Sequence, residues 1–154
     1  MNWKDILIVF LIWAVVIIAA FFALSKVVSP TFGESAIESR TIQISGEDVK
    51  VSVANTLEAR RMGLSGRNEL GKHDGMLFVF DTAARYGFWM KDMRFPIDIL
   101  WLSDDGKVLE MRENVRPATY PEVFTSNVPA RYVLELPAWF VRDNNVAIGD
   151  IVKL

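Results

Sequence analysis

The sequence predicts an α+β fold, predominantly β: a curled sheet or partly closed β-barrel with two short helices, preceded by one N-terminal transmembrane helix. Three observations predict it. Residues 6–24, ILIVFLIWAVVIIAAFFAL, form a run of 19 without a charge. From about residue 40, short apolar or alternating segments recur between Gly, Pro, Asn and Asp clusters, as strands and turns do. Only two later segments, 55–67 and 137–145, carry helix-terminus signals instead.

At a helical rise of about 1.5 Å per residue, the N-terminal run covers about the 30 Å of a hydrocarbon core, so residues 1–25 read as a retained membrane anchor. A cleaved signal peptide competes with that reading. Ala23 and Ser25 supply a small-x-small pattern, but the apolar run is long and its head, Lys4 against Asp5, is weakly basic. The flanking cations, Lys4 against Lys26 and Arg40, give the positive-inside rule nothing to count. Residues 26–39, KVVSPTFGESAIES, have the Ser, Pro, Gly and Glu of a solvated linker. The domain then runs over 40–154, a size that sustains one hydrophobic core.

RTIQIS and VKVSVA alternate around Gly46-Glu47-Asp48 and predict a β-hairpin. In NTLEARRMGLSGR, Asn55 as N-cap, Glu58 three residues on, Arg60 and Arg61 at the negative end and Gly63 as terminator predict a short helix. GMLFVFD is apolar on both faces, a central strand. YGFWMKD predicts a further strand, and IDILWLSDDGKVLEMRE a second hairpin turning at Asp105-Gly106 in type I′ geometry. NVRPATYPEVFTSNVPA is a long loop with three prolines. RYVLELP is a strand, PAWFVRDNN a short helix, and VAIGDIVKL one or two short strands around Gly149.

Composition excludes several chemistries. The chain has no cysteine, which rules out a lipobox anchor, a disulfide framework and a thiolate metal site. Its one histidine, His73, lies in the loop GKHDG, which leaves neither a His-rich zinc site nor a serine triad. Beyond Lys26 there are 15 Lys and Arg against 18 Asp and Glu, interspersed, which gives no nucleic-acid footprint. GLSG at 63–66 stops short of a nucleophile elbow because Arg67 replaces the final Gly. Neither a metal nor a cofactor is implied.

The second hairpin yields the sharper hypothesis. A two-residue turn pairs Trp101 with Glu110, Leu100 with Met111, Ile99 with Arg112 and Asp98 with Glu113. Two facing carboxylates demand a raised pKa, a bound cation or an intervening Arg. They also admit a plain structural reading, in which Asp98 caps a turn or pairs with Arg94 or Arg131. Arg131 and Glu135 share one face of their strand and are the further catalytic candidates. Ligand-binding candidates are Arg60, Arg61 and Arg67, as a basic patch, and Tyr120 and Phe124 on the long loop that could cover a pocket.

RRMGLSGR, GMLFVFD, FWMKDMRFPIDILWLSDDGKVLEM, PARYVLELP and VAIGDIV, in that order, resemble the motifs of the domain of unknown function 192 (DUF 192), also called uncharacterised protein family 0127. The resemblance covers most of 55–154. It implies a small β-rich domain with short helices, often behind an N-terminal signal or membrane segment, and an extracytoplasmic placement; it carries no reaction and no catalytic residues. Trp139 stands where the family commonly has Gly.

The leading expectation is therefore a single-pass membrane protein, held in the bilayer through residues 6–24, presenting a binding or accessory domain outside the cytoplasm to a cell-envelope component or membrane protein. The alternatives are a hydrolase or lyase using Asp98 and Glu113, and a structural partner domain in a membrane complex.

Overall fold

A computed structural model describes Asn2, Trp3 and residues 38–154. The expected anchor at 6–24, and all of the 26–39 linker before Glu38, lie outside the described residues. Among the described residues, no helix is long and apolar enough to cross a membrane.

Strand β1 (Ser39–Ile44) and strand β2 (Glu47–Ala54) form the expected antiparallel hairpin, with Ile44 opposite Glu47. Its turn is Ser45-Gly46, both at positive φ (49° and 86°), the geometry that continues the right-handed strand twist. Helix α1 (Leu57–Met62) follows. Thr56, one residue later than expected, is its cap: its Oγ1 accepts from the Ala59 N–H at 3.1 Å. Gly63 ends it, donating its N–H to the Ala59 carbonyl from a φ of 54°.

Strand β3 (Asp74–Ala84) lies parallel to β2. Parallel neighbours need a crossover, and residues 55–73 supply it, carrying α1 over one face of the sheet. Strand β4 (Ile97–Leu102), strand β5 (Val108–Val115) and strand β6 (Ala130–Pro137) complete a six-stranded sheet of order β1-β2-β3-β6-β4-β5. A 3₁₀ turn at Pro117–Thr119 and helix α2 (Phe140–Asp143) are the remaining elements.

The sheet is open and uncurled, which corrects the expected curled sheet or barrel. Its edges β1 and β5 do not pair with each other; the C-terminal residues form no strand of the sheet, bridging Lys153 to Gln43 and Ile151 to Lys107, with Gly149 and Asp150 bonded to the Val108 backbone. The physical reason is coverage. Alternation along the central strands sends Leu77, Leu100 and Leu134 into one buried cluster with Phe140 and Val141 of α2. It sends Met76, Phe78, Ile99 and Val133 into a second, against Leu64 and Met90. With connecting chain over both faces, closure is not needed to bury apolar surface. YGFWMKD, expected as a strand, forms only one bridge, Phe88 with Phe124.

The β4–β5 hairpin keeps the expected central register, Ile99 with Arg112, Leu100 with Met111 and Trp101 with Glu110, but slips at both ends. The turn is longer than two residues: the Ser103 N–H donates to the Lys107 carbonyl at 3.0 Å, and Gly106 takes a φ of 79°, a loop with glycine in the left-handed position. At the other end Ile97 pairs with Val115, so three steps along β5 match two along β4.

Candidate functional site: an aromatic pocket over Glu135

Glu135 sits in the middle of the sheet, opposite Met76 on β3 and Ile99 on β4. Period-two alternation places its side chain with Val133 on the face that the crossover covers. It is 6% exposed, and its Oε2 has no hydrogen-bond partner. Burial pushes its carboxyl up to about 8, against the opposing pull of the Arg67 guanidinium. A carboxylate without a donor pays the full desolvation penalty, so the proton stays on at neutral pH.

Above Glu135 lies a cavity of about 220 Å³. Its walls include Phe78, Phe80, Tyr86, Phe88 and Trp89. Phe80 and Tyr86 stack with ring centroids 3.5 Å apart and 8° between planes, and Phe88 meets Phe78 edge-on at 4.8 Å. Segment 85–95 is held there by reciprocal backbone bonds between Phe88 and Phe124, each 2.8 Å, and by Ser65 Oγ donating to the Lys91 carbonyl at 3.0 Å. Aromatic walls with one convergent carboxyl are the composition of a small-molecule site. A carboxyl that titrates near neutrality can both give and take a proton there.

The ligand candidates gather around this cavity. Arg60 and Arg61 line it, and Arg67 acts on the Glu135 carboxyl. Tyr120 packs against the pocket residue Trp89 at 6.2 Å, and Phe124 anchors Phe88. Of the catalytic candidates, only Glu135 lines the cavity. Arg131 pairs with Asp104 at 3.5 Å.

Asp98 and Glu113 do not face each other. The slip in β5 carries Asn114 to a φ of 49°, and the fully buried Asp98 accepts three backbone N–H groups: Asn114 at 2.8 Å, Trp139 at 3.1 Å and Val141 at 2.9 Å. It thereby ties the bulge to the start of α2, on the sheet face opposite Glu135. Glu113 is exposed. Trp139 adopts a φ of 73°, the left-handed conformation that glycine takes without cost; here its ring lies 4.4 Å from the Arg142 guanidinium. The other buried acid, Glu110, accepts from the Asn127 backbone at 2.7 Å and pairs with Arg112 at 2.7 Å. The Asn127 backbone bond, then Arg112, hold its carboxyl below the usual range despite burial.

The sequence reading missed the walls. Phe78 and Phe80 in GMLFVFD and Phe88 in YGFWMKD read as strand core, because aromatic residues at strand spacing carry no sign of a void between them. The available signal was Glu135 itself, an acid inside the apolar strand RYVLELP.

A family model for DUF192, described as an uncharacterized ACR, matches residues 40–154. Among solved structures, a candidate transcription regulator from Sinorhizobium meliloti 1021 is similar at a TM-score of 0.73 and 30% identity, over 76% of this chain and 94% of that one. A protein of unknown function from Novosphingobium aromaticivorans DSM 12444 is similar at a TM-score of 0.74 and 25% identity, over 79% of this chain and 89% of that one. No curated protein matches. The expected membrane-anchored module outside the cytoplasm, with the bilayer and an envelope component as partners, is corrected on the descriptions of these structural relatives, while the anchor itself, at 6–24, lies outside the described residues. These relatives are described as a candidate transcription regulator and a protein of unknown function.

Proposed function

The chain belongs to the DUF192 family, and we propose that its domain binds a small ligand in the Glu135 pocket, where Glu135 is the acid–base group that meets it. The single observation that carries this is the buried Oε2 of Glu135, left without a partner at the floor of an aromatic cavity. Buried polar atoms are almost always satisfied, and an orphan in a cleft marks a place where a ligand or water completes the bonding. The chemistry favoured is proton transfer, the work of a hydrolase or lyase, carried by Glu135 in place of an Asp98/Glu113 pair. The description of the Sinorhizobium meliloti protein adds a setting in which such a pocket acts as a sensor.

The test is a fragment screen read by protein NMR on the full chain. Binding moves the resonances of Phe88, Trp89 and Glu135 together, and Glu135→Leu, which keeps the walls but removes the carboxyl, abolishes it for polar fragments. Fragments that bind elsewhere, or bind Glu135→Leu equally well, refute the reading.

A further inference from the structure

Charge layout narrows what the pocket accepts. Glu135 is the one acid among the lining residues, and burial keeps it uncharged at neutral pH. The two lining cations differ in how they are engaged. Arg60 Nη1 donates to the Asn55 carbonyl at 2.9 Å and the Val79 carbonyl at 2.8 Å, and its guanidinium lies 5.3 Å from the Phe80 ring centre. It is a wall. The Arg61 side chain is exposed and makes no hydrogen bond or ion pair among the described residues. A six-residue helix offers it little dipole to complement.

The pocket thus has an unengaged cation in its lining, aromatic faces around it and an uncharged polar atom at its floor. Resting on the Glu135 reading above, we propose that the ligand is a small aromatic carboxylate: its ring lies among Phe80, Phe88 and Trp89, its carboxylate meets Arg61, and an uncharged polar substituent meets the unpartnered Oε2 of Glu135. A cationic ligand is disfavoured twice, by Arg61 and by the absence of a charged acid in the lining. A guanidinium offers a carboxylate two parallel donors, so the contact is directional as well as electrostatic.

Three probes share one phenol ring and differ only in the tail: 4-hydroxyphenylacetate, tyramine and 4-ethylphenol. Their dissociation constants are measured by NMR titration of the full chain at pH 7, for wild type, Arg61→Gln and Arg61→Lys. The expected order places 4-hydroxyphenylacetate about tenfold tighter than tyramine, an advantage that falls to about twofold in Arg61→Gln and to about fivefold in Arg61→Lys, which keeps the charge but not the paired donors. Tyramine binding as tightly as the carboxylate, or an advantage unchanged in Arg61→Gln, overturns the aromatic-carboxylate inference while leaving the pocket reading in place. If none of the three moves the pocket resonances, the aromatic-carboxylate inference falls, and the pocket reading stands or falls by the fragment screen alone. Arg61 is exposed and unbonded, so its replacement leaves the fold intact, and matched amide spectra of the variants verify that.

Discussion

Removing the Glu135 carboxyl should change how stability depends on pH. Its folded-state pKa is raised from 4.5 to about 8 by burial, so the folded protein holds a proton that the unfolded chain releases. The sign follows: stability is greatest below the unfolded pKa and is lost as pH rises through the folded one. At about 1.36 kcal/mol per pKa unit, the group accounts for a loss of roughly 3 kcal/mol between pH 5 and pH 8. Glu135→Gln does not titrate. Urea unfolding of wild type and variant, measured at both pH values, should give a stability difference that moves in favour of the variant by about that amount as pH rises. Any fixed packing penalty of the Gln amide cancels in this comparison, as do the contributions of Glu110 and Asp105. Parallel pH profiles for the two proteins would refute the reasoning.

Three further outcomes are expected. Asp98→Asn loses an ionic acceptor shared by three backbone N–H groups and should cost about 3 kcal/mol or more in urea unfolding, whereas Glu113→Gln at an exposed site should cost under about 0.5. Trp139→Gly should be more stable than Trp139→Ala by about 1 kcal/mol, because both lose the Arg142 contact but only glycine relieves the left-handed backbone; equal stabilities would contradict this. Gly106→Ala should cost about 2 kcal/mol or more, read as a lowered Tm, since φ is positive and an added Cβ meets the Val152 carbonyl oxygen.

Much of the sheet was legible because period-two alternation and turn residues act locally. The first hairpin, the α1 signals, β3 and β6 all follow from short-range patterns. What failed depended on distant chain. The crossover that makes β2 and β3 parallel is invisible to alternation, and without it the strands read as a meander that must curl to bury its faces. The hairpin register failed for a similar reason: Asp98 holds its bulge by accepting N–H groups from Asn114, Trp139 and Val141, and two of these three lie about 40 residues away in sequence. Glu135 was named from its place on a strand. Its isolation among aromatic side chains from β3 and from the 85–95 segment is a property of packing that no single segment contains. The basic patch gathered at the pocket because α1 and the loop after it are carried by the same crossover.

The most direct measurement is a carbon-13 NMR titration of the Glu135 side-chain carboxyl in the full chain. The midpoint should fall near 8 in the free protein and move when 4-hydroxyphenylacetate occupies the pocket. A midpoint in the ordinary range of about 4 to 5, unmoved by the ligand, would show a solvated or satisfied carboxyl and contradict the Glu135 reading.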